Sequence, residues 1–434
     1  RRGAHGRRAE GPGCGRVIDG GVRLESEADA MDHFDVAVVG GGMVGASFAL
    51  ALADTPLRVV LIESVAPDSQ AQPSFDERTT ALGNASRRIF QGLGVWDEIA
   101  REAAEIRAIH VSDAGRFGFA RLKAADHGIG AFGYVVPNRV IGTALWRRLS
   151  AVGSVEVRVP ASIEDLEITT ERAYFKVATS TGGREVTSAR LLVAADGAHS
   201  AVRAAAGIEA GVEDYDQVAI AAAVVADRPH DGTAFERFTP TGPVAVLPLR
   251  GGGYGTIWSC TPQRATELLA LEDDAYLAEL QSRFGWRAGK FLRIGRRASY
   301  PLKLTRAAET IARRTVLIGN AAQALHPIAG QGFNLGLRDA ALLAQLIADA
   351  AGDVGSADLL RKFSGDRAAD RGGVVRFTDG LVKLFGSRVP GVSLVRNLGL
   401  LAFDLSPPAK RALARVSLGF GGPTPRLARG LPLQ

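Results

Sequence analysis

The chain has 434 residues, 46% hydrophobic and 23% charged, an ordinary globular composition too long for a single core, so two or more domains are expected. Its two cysteines, Cys14 and Cys260, exclude a disulfide framework and point to the reducing cytoplasm, and no Cys/His cluster has metal-ligand spacing, so no metal is expected. The net charge of +6 is uneven: residues 361–434 hold 13 Lys and Arg against 4 Asp and Glu, a net of +9, and the rest carries −3, which favours a local anionic partner or a solvated basic face over nucleic-acid binding.

Residues 1–33 precede the first patterned element. Their "RRGAHGRRAEGPGCGRVIDGG" lacks the apolar run of a signal peptide and reads as a disordered extension, or as sequence upstream of a start at Met31. Residues 34–39 form an apolar run suited to a buried parallel strand. Gly40, Gly42 and Gly45 follow with GxGxxG spacing, 46–53 reads as a helix, and 57–62 as a second strand ending at Glu63. In such a unit Gly40 permits the tight turn, Gly42 admits a pyrophosphate to the backbone, and Gly45 lets helix and strand pack closely. The helix N-terminus offers free N–H groups to phosphate. Glu63, 18 residues beyond Gly45, can accept from ribose hydroxyls, and its charge disfavours a 2′-phosphate there.

Further along, "FDERTTAL" (75–82) carries Arg78, and "HVSDAGRFGFARL" (110–122) reads as a hairpin. "RLLVAADGAHSAVR" (190–203) is another buried strand ending in Asp196-Gly197. "QVAIAAAVVA", "TAFERF", "PVAVLPL" and "YGTIWSC" are short strands of an antiparallel sheet, with glycine-rich 250–255 as a hairpin turn. "VLIGNAAQALHPIAGQGFNLGLRDAALLAQLI" (316–347) is a strand, a turn of small residues and a long apolar helix. Such a turn brings bare backbone against something flat or anionic. The most apolar stretch after it, 381–403, is broken by Lys383, Arg388, Pro390 and Arg396, so no membrane span is expected.

The three glycine-bearing turns and "FDERTTAL" resemble the fingerprints of the aromatic-hydroxylase flavoproteins, the group A flavin monooxygenases. The resemblance implies an α/β fold: a discontinuous Rossmann-like FAD-binding domain (34–109, 131–214 and 299–374), an antiparallel β-sheet substrate domain (110–130 and 215–298) and a C-terminal helical region (375–434). It implies that Gly40, Gly42, Gly45 and Glu63 hold the ADP half of FAD. Asp196 and Gly197 would lie by the pyrophosphate. Gly319, Asn320, Gly330, Gln331, Gly332 and Asn334 would serve the ribityl chain and flavin ring, and Arg78 would lie beside the flavin. Pro327 would fix the turn at the reacting face, with His326 a candidate polar group or a helix-start histidine bonded to backbone. The broad family has Asp where this chain has Asn320, and often His where it has Gln323.

Those departures, with "HVSDAG", "AFERFT" and "FGWRAGK", resemble the branch of polyprenyl-phenol hydroxylases of ubiquinone biosynthesis, over about 34–420. The branch implies ring hydroxylation of a 2-polyprenyl-6-methoxyphenol by reduced flavin and O2 through a C4a-hydroperoxide. With one convincing Rossmann turn, NAD(P)H would dock transiently as reductant. The membrane-embedded substrate suits a protein of the cytoplasm that touches the inner membrane peripherally through its basic C-terminal helices. The competing reading of those helices is a cover for the core or a contact with other subunits of a biosynthetic complex. A sister hydroxylase of another ring position or a soluble phenol, a flavin oxidase and a non-catalytic FAD-stabilised subunit remain as alternatives.

Overall fold

The computed structural model describes residues 31–67, 69, 78–180, 182–386, 392–419 and 424–433. Cys14, residues 75–77, Arg388 and Pro390 lie outside the described residues. Three sheets organise the rest.

The first sheet has a parallel centre with the order Thr315–Leu317, Arg184–Ala194, Asp32–Val39, Val59–Ile62, Val155–Arg158. Their adjoining segments Val36–Val39, Val59–Ile62 and Leu191–Ala194 are buried and consist of Val, Ile, Leu and Ala alone, which is why the sequence reads as apolar runs there. The first strand begins at Asp32, two residues earlier than expected, and Met31 packs beside Tyr174. The helix after the glycine turn is Met43–Ala51, starting in the turn itself. It packs against the later helix Gln331–Ala348.

The second sheet holds the strands expected of a substrate domain. Tyr254–Cys260 pairs antiparallel with Val244–Pro248 and with the long strand Ala210–Ala226, and the turn between 248 and 254 is the expected hairpin. The hairpin Ala108–Asp113/Phe119–Lys123 joins this sheet, but its first strand pairs parallel with Thr233–Phe238. The sheet is therefore mixed at that seam. A tight turn forces antiparallel pairing, whereas these two strands are linked by a long excursion that imposes no such sense. A small antiparallel sheet of Thr79–Gly83, Gly133–Pro137 and Ala104–Ile106 closes one side.

Three elements run through the expected domain limits. Strands Ala210–Ala226 and Ala298–Ala307, paired over most of their length, cross 214/215 and 298/299. The helix Ala357–Gly386 crosses 374/375. The expected limits at 214/215, 298/299 and 374/375 thus fall inside continuous elements. Two further helices, Val392–Asp404 and Pro407–Ser417, follow. Among the described residues no helix is long and apolar enough to cross a membrane.

Candidate active site

Three parallel strands end side by side, and the loops that leave them form one cradle. Gly40 N–H donates to Ile62 O (2.8 Å), Ala195 N–H to Val39 O (2.8 Å) and Ile318 N–H to Ala194 O (2.9 Å). This places Gly40, Asp196 and Gly319 together at the carboxyl ends of the strands, where open α/β sheets bind ligands. At Gly40, φ is +103° and a Cβ would sit 2.5 Å from Ala195 O, so no other residue fits. At Gly45 a Cβ would lie 1.9 Å from Gly40 O, the close helix–loop packing its spacing predicted. Arg203 ties two of the loops together, donating to Ala321 O and Ala198 O (both 2.9 Å). Sequence inspection gave Arg203 no role.

Glu63 is buried and lines the cavity. Its Oε2 accepts from Gly41 N–H (2.6 Å) and its Oε1 from Val65 N–H (2.8 Å), so it organises the glycine loop. Asp196 Oδ2 accepts from Val202 N–H (3.2 Å), while Oδ1 is buried without a partner. Gly42, Asp196, Gly197, Asn320 and Arg78 all border the same cavity, about 1690 Å³ in volume. That exceeds the ~300–1,000 Å³ of a typical single-ligand pocket. A long polar cradle with an orphaned carboxylate oxygen and glycine backbone at its floor fits a dinucleotide, with space left for a second molecule.

The turn expected to face the flavin is built as follows. Pro327, at φ −67°, starts a short 3-10 turn, and Gly330, at φ +59°, swings the chain into the helix Gln331–Ala348. Pro327, Gly330, Gln331, Gly332 and Asn334 all border the cavity. Asn334 is nonetheless committed to the protein. Its Oδ1 accepts from Gly83 N–H (2.8 Å) and Ser86 Oγ–H (2.6 Å), and its Nδ2 donates to Ala81 O (2.8 Å) and Gly330 O (2.7 Å). Both ends of its amide are taken by protein atoms, and Asn334 bolts the turn to the small sheet.

His326 is buried, with both ring nitrogens engaged: Nδ1 accepts from Ile328 N–H (3.2 Å), which leaves Nε2 to donate to Gln217 Oε1 (3.2 Å). Burial lowers its pKa to about 4, so the ring is neutral. This makes His326 a positioning group for the turn. Gln217 and Tyr215 reach it because the strand Ala210–Ala226 is bulged between Asp214 and Gln217, and Tyr215 meets the imidazole edge-on at 5.4 Å.

Gln323 faces away from the cavity and donates to Asp339 Oδ2 (3.1 Å). Asp339 also receives Arg367 Nε at 2.6 Å, and Arg338 Nε reaches Asp370 at 2.9 Å. Burial alone would raise the Asp339 pKa, but Arg371 and Arg367 bring it below the ordinary value. The substitution of Gln for the family's His thus belongs to a buried charge network that joins the helix Gln331–Ala348 to Ala357–Gly386.

Beyond the cradle the cavity turns apolar. The second sheet supplies one wall, with Ile109, Val111, Leu122, Ala245 and Leu247. The C-terminal helices supply another, with Phe385, Leu400, Phe403 and Leu413. Phe385 stacks on Phe238 at 3.5 Å.

A parallel-sheet dinucleotide cradle thus opens into an apolar chamber roofed by a second sheet. Residues 33–378 match the FAD binding domain family. A ubiquinone hydroxylase (UbiL) of Rhodospirillum rubrum is 36% identical over 405 residues, covering 92% of this chain and 93% of that protein. The 3-demethoxyubiquinol 3-hydroxylase of Escherichia coli is 32% identical, covering 89% and 98%. In three dimensions, the p-nitrophenol 4-monooxygenase PnpA of Pseudomonas putida superposes with a TM-score of 0.75 at 20% identity, covering 90% of this chain and 99% of that one. The chain belongs to the FAD binding domain family and is an FAD-dependent monooxygenase.

Proposed function

We propose that the protein hydroxylates the ring of a polyprenyl phenol in ubiquinone biosynthesis, and specifically converts a 2-polyprenyl-6-methoxyphenol to the 1,4-benzoquinol. The observation that carries this reading is the continuity of the cavity, from a dinucleotide cradle to a long apolar chamber. Bound FAD, reduced by NAD(P)H, supplies the electrons that activate O2. The chain's own task is to aim one ring carbon and keep water out. The Pro327–Gly332 turn sets the face at which the ring arrives, and the apolar wall receives the tail, each buried CH2 contributing roughly 0.8 kcal/mol. The phenol oxygen activates its para carbon, so orientation selects that position.

The same reading supplies a route for the tail. The helix Val392–Asp404 lines the chamber with Leu400 and Phe403 and exposes Leu394, Val395 and Leu398 outward. Phe117, at the nearby hairpin tip, is 56% exposed, and Arg116 beside it is exposed too. An apolar face among basic residues suits the interface of an anionic bilayer. The helix would rest on the membrane and pass the substrate inward.

The test is turnover of FAD-loaded protein with NADH and a short-tailed 2-prenyl-6-methoxyphenol, with the product identified by mass and ring position. One added oxygen para to the hydroxyl is expected. Complementation of strains each lacking one ring hydroxylase checks position independently. Rescue of a strain blocked at a different carbon would reassign the enzyme to that carbon.

A further inference from the structure

Along the strands Ala108–Asp113, Phe119–Lys123, Thr233–Phe238, Val244–Pro248 and Tyr254–Cys260, the chamber wall formed by the second sheet is apolar with one exception. On the strand Thr233–Phe238, Ala234, Phe235, Glu236 and Phe238 border the cavity, and alternation puts Ala234, Glu236 and Phe238 on one face. Glu236 sits in register between Val111 on one neighbouring strand and Ala245 on the other. Among the described residues no hydrogen-bond or ion-pair partner reaches its carboxylate. Asp113, in register with Phe238, shares the face of Glu236 and is paired with Arg396 (2.5 Å), whereas His110, in register with Arg121 and in contact with Arg287, lies on the opposite face. Arg237, next in sequence, points to that face as well, by strand alternation. Of the other titratable groups bordering the cavity, Glu63, Arg78, Asp196, His199, Arg203 and His326 belong to the cradle and the Pro327 turn, and Lys303, on the strand Ala298–Ala307 of the second sheet, is paired with Asp214. From the C-terminal helices only apolar side chains face the chamber.

A carboxylate enclosed by hydrocarbon and unpaired by protein is costly, and its retention calls for a ligand. We propose that Glu236 accepts the phenolic proton of the substrate as the ring is hydroxylated. This rests on the reading above that the substrate is a phenol. In the resting complex the carboxylate accepts a hydrogen bond from the phenol O–H, which also fixes the ring's orientation. When the ring carbon forms its C–O bond to the electrophilic oxygen supplied by the monooxygenase reaction, the O–O bond breaks, the ring loses two electrons and the transferred oxygen gains them. The phenol O–H bond then breaks, its proton passes to Glu236 and its electron pair closes a C=O bond. The proton on the new sp3 carbon passes to the oxygen left behind by the broken O–O bond, which restores the aromatic ring, and Glu236 returns its proton to the former carbonyl oxygen. Atoms and charge balance, and the carboxylate is regenerated.

Burial raises the Glu236 pKa to about 7. Glu236 is half-buried and borders the cavity. A base poised near neutral pH serves general-base catalysis better than an ordinary carboxylate.

The test uses Glu236→Gln and Glu236→Leu in full-length, FAD-loaded protein, with a short-tailed 2-prenyl-6-methoxyphenol as probe. The Gln variant should keep FAD and still bind the probe, seen as a shift in the flavin absorbance. Its hydroxylation should fall ~10²–10⁴-fold, with NADH oxidation diverted to hydrogen peroxide. Wild-type hydroxylation should rise with pH through about 7, and that limb should vanish in the variant. A second readout needs no turnover. The folded-state pKa is raised, so the carboxylate costs stability increasingly as pH rises from its unfolded value through about 7. The Leu variant should therefore melt above wild type, with the gap widening over that range. Equal hydroxylation and an unchanged pH profile in the Gln variant would overturn the assignment, as would destabilisation in both variants, which marks a structural acid. Wild-type protein that hydroxylates no phenol would sink the functional reading and this one together; an active wild type with an equally active Gln variant sinks this one alone.

Discussion

Replacing Asn334 with Ala isolates the contribution of one side chain to the flavin-facing turn. Asn334 is 3% exposed and makes four hydrogen bonds of 2.6–2.8 Å, to Gly83, Ser86, Ala81 and Gly330. A typical intramolecular hydrogen bond contributes about 1 kcal/mol net, and a buried group left unsatisfied costs roughly 1–3 kcal/mol. Truncation removes all four bonds and leaves Gly83 N–H without its acceptor, so a loss of about 4 kcal/mol is expected. That is a large part of the ~5–15 kcal/mol of a whole fold. Urea unfolding should be followed in both apo and FAD-loaded protein. Because the partners are all protein atoms, the loss must appear in the apo form. A variant whose apo stability stays within about 1 kcal/mol of wild type, but whose FAD affinity falls, would refute the argument and return Asn334 to the flavin ring.

The two glycines of the same turn should behave differently. A Cβ on Gly332 would meet only Leu325 Cβ at 3.8 Å, so Gly332→Ala should fold normally and lose FAD or turnover. Gly330, at φ +59°, should lose ~1–2 kcal/mol of apo stability on changing to Ala, and equal melting of both variants would contradict this. His326, whose folded pKa is about 4 against an ordinary 6.5, leaves stability intact above 6.5 and removes it as pH falls toward 4. His326→Gln should flatten acid unfolding over that window. Full-length protein should bind anionic vesicles in a salt-sensitive way. Leu394→Glu with Val395→Glu should weaken that binding at least about tenfold, and salt-insensitive binding, or none, would remove the membrane from the proposal.

The cradle was legible in the sequence because its chemistry is local. Gly40, Gly42 and Gly45 act through backbone geometry at fixed spacing, and Glu63 and Asp196 end strands whose apolar runs are plain. The Pro327–Gly332 turn was legible for the same reason. What remained hidden depends on pairings that spacing does not encode. "TAFERF" places two adjacent charged residues on a strand, and alternation alone cannot say whether Glu236 or Arg237 faces the cavity. The partners of His326 come from a bulge that breaks the period-two pattern of the strand Ala210–Ala226. Gln323 looked like a cofactor-site departure but answers to Asp339, contributed by the following helix. The parallel seam between 108–113 and 233–238 likewise rests on long-range topology.

The bond between Asn334 and Gly83 spans 251 positions of chain. Until Asn334 emerges during synthesis, the small sheet has no partner for its edge and the third loop of the cradle does not exist. The amino-terminal nucleotide turn therefore cannot close on its ligand as it leaves the ribosome. Because loop-closure entropy is settled only when the late helix docks, assembly of the site is concentrated at the end of folding. FAD then stabilises a nearly completed chain through its binding free energy. A chain cut short of Asn334 lacks the bond that ties the small sheet to the late helix, and with it part of the frame that FAD binding stabilises.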